Sequence, residues 1–217
     1  MAPGARFCIM KGSVKEARLN FGDRFLRVFS WLMVHLVHRP KVYGPKPVLD
    51  KPTIFVCRHV GMMDAVILMV EYYDMMLRPL AAQDYFEKNA FTRWFYPHAQ
   101  CIPIDRINHS PQWLDDSAAA LGRGESVIIF PEGRRNKTGD GLMEFRTGAV
   151  RLAVKTGAQV IPVYNAFWKF PHRYRLAIGE PYHIPEVPEG GVTHEWLRGQ
   201  ADDMHDRVAA LGKLVEG

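Results

Sequence analysis

The chain has 217 residues, of which 47% are hydrophobic and 24% charged, with a formal charge of +5. That length holds one domain with a substantial core, and the composition is that of a globular chain. The positive balance favours an anionic partner, either anionic lipid or a phosphorylated substrate; the basic residues are scattered and no RNA- or DNA-binding signature appears, so nucleic acid ranks last.

Cys8, Cys57 and Cys101 form no Cys-x-x-Cys pair, which favours a reducing compartment over a disulfide framework or a zinc site. His194-Glu195 is followed by Arg198 where a zinc protease would place its second His. There is no Gly-x-Ser-x-Gly elbow and no Gly-rich phosphate loop, so a serine hydrolase and a P-loop enzyme are disfavoured. No apolar run approaches the ~20 residues that span a bilayer; the run Val28 to Val37 is interrupted by His35.

In chain order, Val14 to Arg39 reads as a helix, with Phe21, Phe25, Val28, Phe29, Leu32 and Leu36 at three- and four-residue steps. Lys15, Arg18, Arg24 and Arg27 surround that stripe. The segment fits a basic amphipathic helix in a membrane interface equally with a terminal helix packed on the core. Pro40, Pro45 and Pro47 then break the helix into a connector. Strands are expected over 54–57, 77–82, 99–104, 126–130, 159–163 and 174–178, and helices over 64–73, 84–95, 110–121 and 145–156, the last closed by Gly157. Leu197, Ala201, Met204, Val208, Leu211 and Val215 mark a final amphipathic helix against the core. This alternation is an α/β layered fold.

Three of the expected strands end in polar clusters. Cys57-Arg58-His59-Val60-Gly61-Met62-Met63-Asp64 follows the first. On one continuous helix, residues five apart face different ways. His59 and Asp64 therefore meet only if the chain turns between them, and Gly61 permits a turn. Asp64 would then hold one ring nitrogen and leave the other to take a proton. By itself such a pair is more often structural than catalytic. The other two clusters are Ile104-Asp105-Arg106 and Phe130-Pro131-Glu132-Gly133-Arg134-Arg135. Ligands in open α/β sheets bind beyond the carboxyl ends of strands, and Arg suits phosphate through its planar fork. Taken singly these are ordinary polar turns; three together make a candidate site.

His-x-x-x-x-Asp after a strand, a strand ending Ile-Asp-Arg, Phe-Pro-Glu-Gly-x-Arg and Val160-Ile161-Pro162-Val163 occur in the order found in the glycerolipid acyltransferases. The stretch from about Val48 to Tyr182 resembles that family, which includes lysophosphatidic acid and glycerol-3-phosphate acyltransferases. The resemblance implies a single-domain glycerol-3-phosphate acyltransferase-like fold, a mixed sheet flanked by helices, over 48–217. It also implies an N-terminal membrane-associating helix and connector over 1–47, and peripheral or monotopic attachment to the cytoplasmic face of a membrane. The implied reaction moves a fatty acyl group from acyl-CoA or acyl carrier protein to the hydroxyl of lysophosphatidic acid, with no metal or redox cofactor. Glycerol 3-phosphate or another lysolipid is an alternative acceptor, and a non-catalytic membrane-binding protein is the alternative of another class. Carried over residue by residue, His59 is the general base and Asp64 its orienting partner. Arg106, Glu132, Gly133, Arg134 and Arg135 fall in the substrate-binding blocks. Backbone N–H groups near Gly61 or Gly133 are candidates for stabilising the oxyanion. The chain departs from the pattern at Arg58, where Asn is commoner, at Arg134 for Thr, at Asn136 for Ser and at Arg146 for Lys. It also lacks a Lys common near Gln83.

Overall fold

The computed structural model describes residues 20–108, 110–136, 141–167 and 174–216. Its strands are β1 (Lys41–Tyr43), β2 (Thr53–Cys57), β3 (Leu77–Ala82), β4 (Ile102–Ile104), β5 (Ser126–Ile129), β6 (Gln159–Phe167) and β7 (Tyr174–Ile178). They form one sheet in the order β1-β7-β6-β2-β5-β3-β4. β6, β2, β5, β3 and β4 are mutually parallel; β7 runs antiparallel to β6, and β1 pairs with β7 in parallel.

β2 and β5 are buried at every position, as expected of central parallel strands covered on both faces. Successive side chains alternate between two cores. Ile54, Val56, Val127 and Ile129 face α4 (Gln112–Gly122), α5 (Gly148–Thr156) and α6 (His194–Glu216). Phe55, Ile128 and Ile161 face α2 (Met63–Glu71), where Ile67 and Leu68 are fully buried. α1 (Phe21–Met33) lies on the same side as α2 and α3 (Ala90–His98).

Several boundaries differ from the expectations. The helix expected over 84–95 is a short turn, Gln83–Tyr85, followed by α3. Asn89 sets that start: its side chain accepts the Thr92 amide and the Thr92 hydroxyl accepts the Asn89 amide, each at 2.9 Å. The connector after Pro40 contains β1, a three-residue edge strand of the kind that tolerates flanking prolines. α5 begins at Gly148 rather than Phe145, and ends as expected at Gly157 with φ +65°. The final helix matches its expected stripe, with Leu197, Ala201, Met204, Val208 and Val215 buried. α1 starts at an Asn20–Asp23 capping box and continues through a π-helical turn, Val34–His38. Residues 14–19 of the expected first helix, including Lys15 and Arg18, lie outside the described residues.

Candidate active site

The carboxyl ends of β2 and β5 lie side by side at the middle of the sheet, because the chain returns from the edge at β4 and inserts β5 between β2 and β3. β2 delivers His59 and β5 delivers Glu132. The chain turns after His59 and enters α2 with Asp64 in its first turn. His59 Nδ1 and Asp64 Oδ2 come to 2.7 Å. Three more donors converge on the same carboxylate: the Val60 amide at 2.8 Å, the Gly61 amide at 2.9 Å, and the Tyr174 hydroxyl. Asp64 is buried, and its partners replace the water it has lost. With Nδ1–H donated to Asp64, Nε2 is the ring's proton acceptor. The imidazole also stacks on Phe130, ring centroids 4.1 Å apart, and keeps 20% of its side-chain surface open.

The turn does not need left-handed backbone at Gly61, which is absent from the positive-φ positions. Its lack of a side chain matters for space, since a Cβ there would lie 2.4 Å from the Phe167 ring. The Gly61 and Gly133 amides are already engaged, by Asp64 and by the Phe130 carbonyl at 3.0 Å, so in this geometry neither is the expected oxyanion donor.

The β2 and β5 loops are tied to each other. The His59 amide donates to Glu132 Oε1 at 2.7 Å, the Met143 amide to Oε2 at 3.1 Å, and the Asn136 amide to the His59 carbonyl at 2.7 Å. Both Glu132 oxygens therefore hold backbone, a positioning arrangement within what the sequence marked as a binding block. Burial pushes the Glu132 carboxyl above its ordinary value, against the pull of those two amides and of the Arg58 and His59 charges. Gly133 does adopt left-handed backbone, φ +72°, and the Arg146 side chain crosses where its Cβ would be.

Arg58, the departure beside His59, is buried. Its guanidinium donates to the Tyr164 hydroxyl at 2.8 Å, stacks on that ring at 4.6 Å and lies 3.8 Å from Glu216 at the end of α6. The Asn165 amide group donates to the Arg58 carbonyl at 2.8 Å. Neighbouring Cys57 is no nucleophile: burial and the Asp64 charge push its thiol well above the ordinary value, away from thiolate.

The expected phosphate ligands are spread more widely. Arg134 and Arg135 are exposed on the turn after β5, and the Arg135 charge reaches Tyr96 of α3. Arg106 is exposed beyond β4 at the sheet edge. Three strand spacings, roughly 14 Å, separate β4 from β2, so Arg106 stands well away from His59 along the same sheet edge. Asp105 shapes that loop by accepting the Ile107 and Asn108 amides, both at 2.9 Å. Sequence reading missed Tyr174 and Phe167, which come from strands distant in the chain and carry no local signal. It also missed Phe130 as the ring beneath the imidazole, although that residue sits inside the third block. Met69, Met75 and Met76 line an apolar cleft beneath α1 with Leu26, Val66 and Phe95, whereas Met62 is exposed. Among the described residues, no group of three or more His, Cys, Asp or Glu is placed to hold a metal ion.

Comparison with known proteins gives the same assignment. A family model described as Acyltransferase matches residues 39–165, more than half of the chain. The Caenorhabditis elegans protein acl-2, provisionally named a 1-acyl-sn-glycerol-3-phosphate acyltransferase, is 29% identical over 206 residues, covering 88% of this chain and 70% of that protein. A 1-acyl-sn-glycerol-3-phosphate acyltransferase of Cocos nucifera is 24% identical, covering 68% of this chain and 48% of that protein. The one of Pseudomonas aeruginosa is 26% identical, covering 67% and 60%. The crystal structure of the 1-acyl-sn-glycerophosphate acyltransferase PlsC of Thermotoga maritima shares the fold, with a TM-score of 0.60 at 20% identity over 88% of this chain and 79% of that one. With its sheet, its paired strand ends and the family match across both, this chain belongs to the acyltransferase family.

Proposed function

We propose that the chain transfers a fatty acyl group from a thioester, acyl-CoA or acyl carrier protein, to the hydroxyl of lysophosphatidic acid, giving phosphatidic acid. The observation that carries this reading is the 2.7 Å contact of His59 Nδ1 with a four-donor Asp64. It fixes the tautomer and gives the developing imidazolium an anionic partner. The acceptor hydroxyl lies against Nε2. As its proton moves to Nε2, the oxygen attacks the thioester carbon, a C–O bond forms and the C–S bond breaks. The departing thiolate then takes the proton from the imidazolium. No protein nucleophile and no bound cofactor enters the scheme. Arg106, Arg134 and Arg135 hold the acceptor's phosphate, and Gly133 keeps the third turn open beside them. The relatives' names support the acceptor assignment. Residues 1–47 attach the protein to the cytoplasmic face of a membrane, and 48–217 form the catalytic unit. The attachment reading is supported by the outward stripe on α1 and the π-helical turn after it, where Phe21, Phe25, Val28, Phe29, Leu32 and Leu36 are exposed; no described helix is long and apolar enough to cross a membrane.

The test is thiol release from palmitoyl-CoA and from acyl carrier protein, with lysophosphatidic acid and then glycerol 3-phosphate as acceptor. Release that requires lysophosphatidic acid and falls by about 10³-fold in His59→Ala is the expected result. Release that requires a different acceptor would move the assignment to that lysolipid. Vesicle binding with no turnover across a wide acceptor screen would make the chain a non-catalytic lipid binder. Arg106→Ala is expected to raise the KM for acceptor and not for donor; a change in the donor KM alone would remove Arg106 from the phosphate site.

A further inference from the structure

α3 turns its aromatic residues outward. Phe91 is 63% exposed and Trp94 37% exposed, on a nine-residue helix from which Phe95, and Ala99 just past its end, line the cleft beneath α1. Phe91 packs on rings of its own helix, at 5.6 Å from Phe95 and 6.4 Å from Trp94, so the aromatics form a ridge. The ridge is continuous with α1. The Trp94 ring is 5.0 Å from that of His98; His98 Nδ1 is 2.9 Å from Asp23 Oδ1, and the His98 ring fills the space beside Gly22. Phe21, 86% exposed, adjoins that contact. The exposed charges carried by the two helices have one sign, with exposed Lys88 adding to them, whereas the exposed Asp84 and Glu87 lie in the turn before α3. Arg24 and Arg93 are exposed, while Asp23, the one carboxylate within the two helices, is buried against His98. An aromatic ridge with an amphipathic Trp and a cationic border fits the interface of an anionic bilayer better than the mixed charge of a protein surface. On its third flank α3 faces the turn after β5, near enough for the Arg135 charge to act on Tyr96.

We propose that α3 is a second membrane-docking element, with Phe91 and Trp94 entering the interface of an anionic leaflet beside α1 and setting the turn that carries Arg135 at head-group level. This inference rests on the reading of α1 as membrane-attached and extends the contact to a helix within the catalytic unit.

The experiment is sedimentation with mixed phosphatidylcholine–phosphatidylglycerol vesicles, using full-length wild type, Phe25→Ser/Phe29→Ser and Phe91→Ser/Trp94→Ser. The α3 variant is expected to bind about tenfold more weakly, while its turnover of monomeric, water-soluble substrate stays unchanged. Loss in the α1 variant together with wild-type binding in the α3 variant would overturn the α3 assignment and leave the α1 reading standing. Wild-type binding by both variants would overturn both. A wild-type dimer in solution that becomes monomer in the α3 variant would make the face a self-interface and overturn the lipid assignment. If the double variant does not fold, Trp94→Phe serves instead. Quenching of protein fluorescence by lipids brominated on the acyl chain should then drop relative to wild type, and undiminished quenching would overturn the proposal.

Discussion

At the residue scale, Asp64 is the point on which the site turns. Tyr174 donates to it from a strand on the far side of β6, and burial together with the Asp64 charge pushes the Tyr174 hydroxyl well above its ordinary value. The phenol therefore remains a donor across the working pH range. Tyr174→Phe removes one of four donors and nothing else, so kcat is expected to fall by about tenfold, equivalent to about 1.4 kcal/mol, with the acceptor KM unchanged. A steady-state comparison with wild type checks this. Gly61→Ala brings a methyl within 2.4 Å of Phe167; the overpacking is expected to cost about 2 kcal/mol in chemical denaturation, and Phe167→Ala in the same chain to recover most of it. The residues 59 and 64 were legible in sequence because a strand, a turn and a helix start follow one another within the same block. The ring under His59, the hydroxyl behind Asp64 and the ring over Gly61 were not, because each contact is made across strands.

At the scale of elements, the ends of strands are stapled. Glu125, just before β5, accepts from Arg78 of β3 at 2.7 and 2.9 Å and from Arg123 at 2.8 Å. Burial raises the Glu125 carboxyl, but the hydrogen bonds and charges of the two arginines outweigh it and hold it below the ordinary 4.5. A carboxyl whose folded value is lowered adds stability above its unfolded value, and that stability is lost as the pH falls through the folded value. Glu125→Gln is accordingly expected to cost about 2 kcal/mol at pH 7, with the wild-type and variant curves converging as the pH falls through the folded value; urea unfolding at about pH 7 and through the acid range measures it. Arg58 staples α6 to the strand that carries His59, through Tyr164 and Glu216. Arg58→Ala is expected to destabilise by about 3 kcal/mol, and Arg58→Lys to restore only part, since an ammonium does not reproduce the planar stack. Central strands and α6 were legible because burial on one or two faces writes an apolar pattern. The position of α3 was not, because its exposed aromatics mimic a core stripe and its start is set by a reciprocal Asn89–Thr92 cap rather than by periodicity.

At the scale of the whole molecule, a net charge of +5 meets a surface proposed to be anionic. Turnover on anionic vesicles is expected to fall as salt is raised towards about 1 M, where the Debye length shrinks to about 3 Å, whereas turnover of soluble substrate should change little. The two rates measured side by side across salt concentration separate surface attachment from chemistry. The sheet's mixed direction has its own consequence. Had β7 continued the parallel order, a loop would have met the catalytic edge, and Tyr174, first in its strand, would have sat at the opposite rim. Reversal places the opening residue of a paired strand there instead, bonded through the register Phe167↔Tyr174. The group behind Asp64 thereby inherits the slow amide exchange of a sheet rather than the mobility of a loop. The proposed base is thus aligned from a paired strand, while the arginines proposed to hold phosphate lie on exposed turns.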